Sequence, residues 1–152
     1  MLPVPTKFTL CAGSAEGVTR LNAFDNALRE AGIANLNLLK VTSILPPGCR
    51  YEEKLSIAPG SLTPTAYGSI TCDVPGTRIA AAVAVGLSED SFGVIMEFAG
   101  ECSRQEAEER VARMAEEAFR QRGMKMARLM TRGTELVVEK IGCAFAAVAL
   151  WY

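Results

Sequence analysis

The chain has no histidine among its 152 residues, and this limits the chemistry that it can perform. Without histidine there is no Ser-His or Cys-His nucleophile pair, and the commonest metal ligand and the commonest general base are both missing. Any catalysis must therefore rest on carboxylates, lysines, amides, or a group made from the chain itself. Candidates of these types are a pair of hydroxyls, an amide and two carboxylates that stand in apolar surroundings.

The hydroxyl pair is Thr42 and Ser43, near the end of the apolar stretch 35–45. Pro46 and Pro47 follow, and because proline has no N–H to give to a ladder, they predict the end of a strand. Two adjacent hydroxyls are unexpected at a position where strand packing would favour valine.

The amide is Asn37, six positions before Ser43. If one straight strand holds both residues, their side chains face the same side but lie roughly 20 Å apart, at about 3.3 Å per residue. A shared site then requires either a bend in the strand or an Asn37 that acts on Ser43 of a neighbouring chain. The alternative is that Asn37 is an edge amide bonded to backbone groups.

The first carboxylate is Asp25, four residues after Leu21 and three before Leu28 in a predicted helix. This spacing puts it on or beside the apolar stripe of that helix. There it either loses hydration and needs a cation or several donors, or it turns outward and pairs with Arg29 at i+4.

The second carboxylate is Glu97, the only charge in the apolar stretch 92–100. Strand alternation puts it on the same face as Ile95 and Ala99. A partly buried glutamate tends towards a raised pKa, which suits a proton donor near neutral pH. The alternative is a glutamate at a strand end that leans into water.

Caps and periodicity predict the elements that position these side chains. Two helices are predicted, 20–32 with Thr19 or Ser14 as cap and Gly32 as stop, and a second from the Ser103–Glu106 capping box to about Arg122, closed by Gly123. The residues expected to face inward are Leu21, Phe24, Leu28 and Ala31 in the first helix and Ala107, Val111, Met114, Ala115 and Ala118 in the second. Strands are predicted at about 6–12, 35–45, 62–72, 79–88, 92–99, 124–138 and 142–151, with a turn at 73–77. This succession predicts an α+β fold with mostly antiparallel sheets, in an αββα-type sandwich with about two main helices.

Length and composition predict one globular domain, 1–152, because hydrophobic residues make up 49% and charged residues 22% of the chain. The net charge of -1 and the lack of a basic run argue against a nucleic-acid partner. The apolar runs 79–87 and 143–152 are too short to span a membrane, and the start lacks the pattern of a secretory signal, so we expect a cytoplasmic protein. The five cysteines are scattered, so we expect neither zinc nor disulfides. Small residues in 79–86 and 143–149 would allow close packing against another subunit, which predicts an oligomer; a tight two-sheet monomer core is the alternative.

Taken together, the motifs resemble those of the pyruvoyl-dependent arginine decarboxylases, from about residue 10 to the C-terminus. The matching stretches are "LNAFDNAL", "NLNLLKVTSILPPG", "PTAYG", "DVPG", "IMEFAGECSRQEAE" and "VEKIGCAFAAVALWY". So many motifs in this order are highly specific.

The resemblance implies that Ser43 becomes a covalent pyruvoyl cofactor. Its hydroxyl would attack the carbonyl of Thr42, and elimination would leave chain 1–42 (β) and chain 43–152 (α). The resemblance further implies that Asn37 assists self-cleavage, that Glu97 is the proton donor and that Asp25 binds the guanidinium of the substrate.

The implied reaction converts L-arginine to agmatine and CO2 through an imine with the pyruvoyl group, without metal or PLP. The implied assembly is a trimer or a dimer of trimers with sites between subunits. Agmatine would serve polyamine biosynthesis or acid resistance.

Two alternatives stay open. Asp25 would accept an ammonium as well as a guanidinium, so the substrate could be ornithine or lysine. The residue before the cleaved serine is commonly another serine in this family, and here it is Thr42, whose extra methyl stiffens χ1. An unprocessed trimeric homologue with a binding role is therefore the second alternative.

Overall fold

The computed structural model describes all 152 residues as two stacked β-sheets with one helix on each outer face. The elements in chain order are β1 (Lys7–Glu16), α1 (Arg20–Ala31), β2 (Asn37–Lys40), β3 (Ile44–Leu45), β4 (Arg50–Tyr51), β5 (Leu62–Cys72), β6 (Arg78–Leu87), β7 (Gly93–Gly100), α2 (Arg104–Gln121), β8 (Arg128–Val137) and β9 (Gly142–Trp151). The larger sheet has the order β2-β5-β9-β1-β4, and the smaller has β3-β7-β6-β8. All strand pairs are antiparallel except β1 with β4 and β2 with β5. The predicted α+β sandwich is confirmed.

The main core lies between the two sheets, and its largest fully buried side chains include Phe8 of β1, Ile79 of β6 and Ile95 of β7. Three further clusters lie between the helices and their sheets, one under α1 and two under α2. Neither helix is long and apolar enough to cross a membrane.

The small residues of β6 and β9 are buried by the chain's own layers. In β6, Val83 and Val85 face the other sheet, while Ala82 and Ala84 face α2. Alternation in β9 likewise turns one face to the sheet core and the other to α1. Within one chain, these residues therefore form a tight core of two sheets. Such a core was the sequence-based alternative to packing against another subunit.

Helix α1 begins and ends as its cap residues predict. The Thr19 hydroxyl accepts a bond from the Asn22 N–H at 3.1 Å, and Gly32 has a left-handed φ of 85°. The buried face was predicted wrongly in part, because Leu21 is 75% exposed.

The face of α1 that is buried instead contains Ala23, Ala27 and Leu28. It packs against Gly13 of β1, where an added Cβ would collide with the backbone of Ala27. Because helix and strand approach so closely at this point, small side chains occupy the contact and the larger Leu21 lies outside it.

Helix α2 follows its capping box closely. The Ser103 hydroxyl accepts a bond from the Glu106 N–H at 3.1 Å, and the Glu106 carboxylate accepts one from that hydroxyl. Of the residues predicted to face inward, Ala107, Val111, Ala115 and Ala118 are buried and Met114 is half-buried.

Three boundaries differ from the prediction because of pairing partners distant in sequence. Strand β1 continues to Glu16, past the predicted polar loop, because β9 pairs with it along its whole length. The turn at 73–77 does not form a hairpin, since β5 and β6 lie in different sheets. The stretch 35–45 is not one strand but two, β2 and β3, in opposite sheets.

Candidate active site

The chain crosses from one sheet to the other at residues 41–43. On one side of the crossing, the Val41 N–H donates to the carbonyl of Thr65 in β5 at 3.1 Å. On the other side, the Ser43 carbonyl accepts a bond from the N–H of Ile95 in β7 at 2.7 Å. The peptide bond between Thr42 and Ser43 therefore joins the two sheets and is anchored at both ends. Because the stretch is not one straight strand, the distance of roughly 20 Å expected between Asn37 and Ser43 in such a strand does not apply.

Glu97 lies in the middle of β7 and faces the other sheet, as alternation predicts. Its neighbours at i±2, Ile95 and Ala99, belong to the core between the sheets. Opposite it, Gly68 of β5 leaves room, and a Cβ at that position would approach the Glu97 Cγ to 3.3 Å. The glutamate thus sits in a gap between the sheets that the absence of a side chain at Gly68 creates.

Burial raises the pKa of the half-buried Glu97 carboxyl above its ordinary value, and the positive charge of Lys40 lowers it to a smaller extent. Desolvation disfavours the charged form of the carboxyl. Glu97 therefore retains its proton to a higher pH than an exposed glutamate does.

A cavity of about 410 Å³ brings Glu97 and the crossing together. Its lining residues come from the crossing, from β7 and from α2: Lys40, Val41, Thr42, Ser43, Ile95, Met96, Glu97 and Met114. Lys40 supplies an ammonium, Glu97 supplies a carboxyl, and Thr42 and Ser43 supply hydroxyls. The cavity thus holds a nucleophile type, an acid and a cation in an otherwise apolar wall.

Sequence reasoning missed Lys40 as a residue of this cavity. Its ammonium nitrogen lies 4.5 Å from the centroid of the Tyr67 ring, a distance typical of a cation–π contact. The available signal was its position two residues before Thr42, because residues i and i+2 of an extended chain face the same side.

Asn37 lies at the first position of β2, exposed and outside the cavity. Its side-chain Nδ2 donates to the Gly60 carbonyl at 3.0 Å, and its backbone N–H donates to the Ser61 carbonyl at 3.0 Å. Within one chain, Asn37 is an edge amide bonded to backbone, and it does not approach Ser43 through this cavity.

Asp25 is exposed on α1 and is also absent from the cavity. It does not pair with Arg29, whose Nη1 instead donates to the Asn26 side chain at 3.3 Å. Its neighbour Phe24 stacks near Tyr67, with ring centroids 6.5 Å apart. Phe24 and Tyr67 belong to the cluster between α1 and its sheet, so Asp25 lies on the outer side of the helix and away from its own chain's cavity.

No group of three or more Cys, Asp and Glu side chains is arranged to hold a metal ion. The five cysteines are all unpaired. The chemistry available at the cavity is therefore that of one carboxyl, one ammonium, two hydroxyls and the anchored peptide bond between them.

Comparison with known proteins adds a family match over nearly the whole chain. The family model described as pyruvoyl-dependent arginine decarboxylase matches residues 7–152. A protein of that name from Methanocaldococcus jannaschii is 48% identical over 151 residues, which cover 98% of this chain and 92% of the relative. Relatives of the same name from Methanococcus aeolicus and Pyrococcus abyssi are each 44% identical, over 97% of this chain and 91% and 96% of their own lengths.

Proposed function

Since the chain belongs to the pyruvoyl-dependent arginine decarboxylase family, we propose that it decarboxylates L-arginine to agmatine with a pyruvoyl group made from Ser43. The observation that carries the proposal is that Ser43 and the half-buried acid Glu97 line the same cavity. Both residues were identified from the sequence, and the hydrogen bond from the Ile95 N–H of β7 to the Ser43 carbonyl holds Ser43 beside the strand that carries Glu97.

The proposed first reaction is self-cleavage between Thr42 and Ser43. The Ser43 Oγ attacks the Thr42 carbonyl carbon, and the peptide bond becomes an ester. Loss of the Cα proton and rupture of the Cβ–Oγ bond of residue 43 then free Thr42 as the end of chain 1–42. The hydrogen bonds at Val41 and at the Ser43 carbonyl support this proposal, because they fix both sides of the bond to be cut.

The residues around Ser43 fit a pyruvoyl group. Ser43 is half-buried beside a cavity of about 410 Å³, and its carbonyl is held by the Ile95 N–H. That N–H would hold the same carbonyl in the processed chain. A pyruvoyl group would supply a ketone for the amine of the substrate, and the adjacent amide carbonyl of residue 43 would withdraw the electron pair that remains when CO2 leaves.

Glu97 is proposed as the proton donor to the carbon from which CO2 has left. A donor must be protonated at the working pH, and burial raises the pKa of Glu97 in the direction that this role requires. Ile95, Met96 and Met114 form the apolar part of the lining next to Glu97.

Asn37 and Asp25 would act from a neighbouring copy of the chain. Both side chains are exposed, and neither lies in its own chain's cavity. Exposed apolar side chains, Leu39, Ile44 and Leu62, lie on strands next to the crossing and would be covered by such a copy. We therefore propose a homo-oligomer, a trimer or a dimer of trimers, in which Asp25 binds the guanidinium as a bidentate acceptor and Asn37 polarises the Thr42 carbonyl of the adjoining copy.

Mass spectrometry under denaturing conditions tests the proposal. Two fragments that meet between Thr42 and Ser43, with the larger one resistant to Edman degradation, are expected. A stable single chain of 16.3 kDa would contradict the proposal and favour an unprocessed binding protein. Ser43→Ala is the matched control that cannot be cleaved, and Thr42→Ser measures whether threonine slows the cut.

Turnover with arginine, ornithine and lysine side by side tests the substrate. We expect arginine to have the highest kcat/KM, because a planar fork of donors matches a carboxylate in two bonds and an ammonium does not. Equal kcat/KM for all three amino acids would reject arginine as the specific substrate.

A further inference from the structure

The proposed cleavage changes the charge of the cavity, and this inference rests on that proposal. In the balanced reaction, one water is consumed, the nitrogen of Ser43 leaves as ammonia, and Thr42 gains a free carboxylate. The uncharged peptide bond is thus replaced by one negative charge at the cavity wall. Glu97 lines the same cavity, so two carboxyl groups now share a space of about 410 Å³.

The new carboxylate cannot move far from the cavity. The Val41 N–H is bonded to Thr65 of β5, so the cut end extends one residue beyond its last sheet hydrogen bond. Thr42 is exposed, so water solvates part of the new charge, and a cation that lines the same cavity adds a favourable interaction. Such a cation would fix the position of the cut chain end.

Lys40 is the one cation among the residues that line this cavity. It takes no part in the chain's four ion pairs, which join Arg20 to Asp73, Arg78 to Glu135, Arg104 to Glu108 and Arg120 to Glu117. Its ammonium instead lies over the Tyr67 ring, where it can accept an anion without losing an existing partner. As residue i−2 of Thr42 in an extended segment, it faces the same side of the chain.

We propose that Lys40 is the counter-ion of the carboxylate that self-cleavage creates on Thr42. The pair holds the end of chain 1–42 against the edge of β5 and keeps its charge away from Glu97. Lys40 is thus a positioning residue, which acts on Glu97 through the new chain end in addition to the direct effect of its own charge.

The other charged or titratable groups near Glu97 cannot take this role. Tyr67 of β5 has no cationic group and lies under Lys40. On α2, Arg110 and Arg113 line the neighbouring groove beyond Met96 and Met114, and Arg110 stacks on Phe98 at 4.4 Å. Glu117 of the same groove is bonded to Arg120.

A zero-length cross-link tests the pair directly. Treatment of the processed protein with a water-soluble carbodiimide should join the Thr42 carboxylate to the Lys40 amine, which appears in chain 1–42 as the loss of one water. Lys40→Arg, whose guanidinium does not react, is the matched control, and the uncleaved Ser43→Ala chain lacks the carboxylate. A Thr42 carboxylate that stays unlinked, or that links to another lysine, overturns the inference.

The pH profile of turnover gives a second readout. Activity falls as pH rises through the pKa of Glu97, because the ionised carboxylate cannot donate a proton. In Lys40→Met, the uncompensated Thr42 carboxylate repels a second negative charge, so this fall should move to higher pH, and Lys40→Arg should restore the parent profile. Parent-like profiles in both variants overturn the inference. If the parent chain is never cleaved, the proposed function fails instead, and the intact mass distinguishes the two failures.

Discussion

Replacing the carboxyl of Glu97 by an amide of the same shape should abolish proton donation and leave self-cleavage intact. Glu97→Gln keeps the packing over Gly68 of β5, because the two side chains have the same heavy-atom positions. The bond between Thr42 and Ser43 and both of its backbone anchors are untouched. The variant should therefore yield the same two fragments as the parent but little agmatine.

The size of the loss follows from the contents of the cavity. A positioned general acid contributes about 10²–10⁴-fold to a rate, and a tenfold change corresponds to about 1.36 kcal/mol of activation free energy. Glu97 is the one carboxyl side chain among the eight lining residues, and the Thr42 carboxylate that cleavage would add is proposed to be ionised beside Lys40, so no second acid takes over the proton. We expect kcat to fall at least about 100-fold, or about 2.7 kcal/mol.

The stability of the variant separates this loss from unfolding. A carboxyl whose pKa is raised in the folded state stabilises the fold below its unfolded pKa, and this contribution is lost as pH rises through the folded pKa. Burial raises the pKa of Glu97, so its ionised form works against folding at higher pH. Gln cannot ionise, and at pH 8 the variant should melt no lower than the parent.

The assay compares kcat for arginine, completeness of cleavage by mass and melting temperature at pH 8 in three proteins. The third is Glu101→Gln, a matched control, because Glu101 is exposed and lies outside the cavity. Turnover of Glu97→Gln within about threefold of the parent, with cleavage complete, would refute the proton-donor reasoning.

Three further substitutions test the rest of the molecule. Asn37→Ala should accumulate uncleaved chain, which a gel or a mass spectrum detects. Asn35 is an exposed amide two residues earlier, and Asn35→Ala should cleave normally. Normal cleavage of Asn37→Ala would remove the processing role of Asn37. Asp25→Asn should raise KM for arginine about ten- to hundredfold with a smaller change in kcat, since a charged hydrogen bond is worth about 1.5–3 kcal/mol, and an unchanged KM would exclude Asp25 from guanidinium binding. Gly13→Ala should lower the free energy of unfolding in urea by about 1–3 kcal/mol, because its Cβ would collide with the α1 backbone at Ala27, and an unchanged urea midpoint would contradict that contact.

Local signals in the sequence predicted most of the elements. Caps such as Thr19 and Ser103 and the stop at Gly32 act within one helical turn, so they can be identified without tertiary information. Local signals did not predict the exposure of Leu21, because it depends on how closely Gly13 lets α1 approach β1.

The crossing at residues 41–43 was the main feature that periodicity did not predict. A continuous apolar pattern looks the same whether its two ends pair with one sheet or with two. The pairing of Lys40 with Thr65 and of Ile44 with Val94 decides this, and both partners are distant in sequence. Alternation within β7 predicted the face of Glu97 correctly, while the position of Lys40 at the cavity became visible only once the crossing was known.

The proposed cleavage at the crossing would also change the molecularity of unfolding. Segment 1–42 contains β1, which lies between β9 and β4, and β2, which pairs with β5, so all its strand partners belong to 43–152. Before the cut, unfolding releases one chain; after it, two chains separate, and refolding requires them to meet again. The unfolding midpoint of each cleaved protomer thus rises with protein concentration. From that point the folded structure, and no longer a covalent bond, keeps the two segments together.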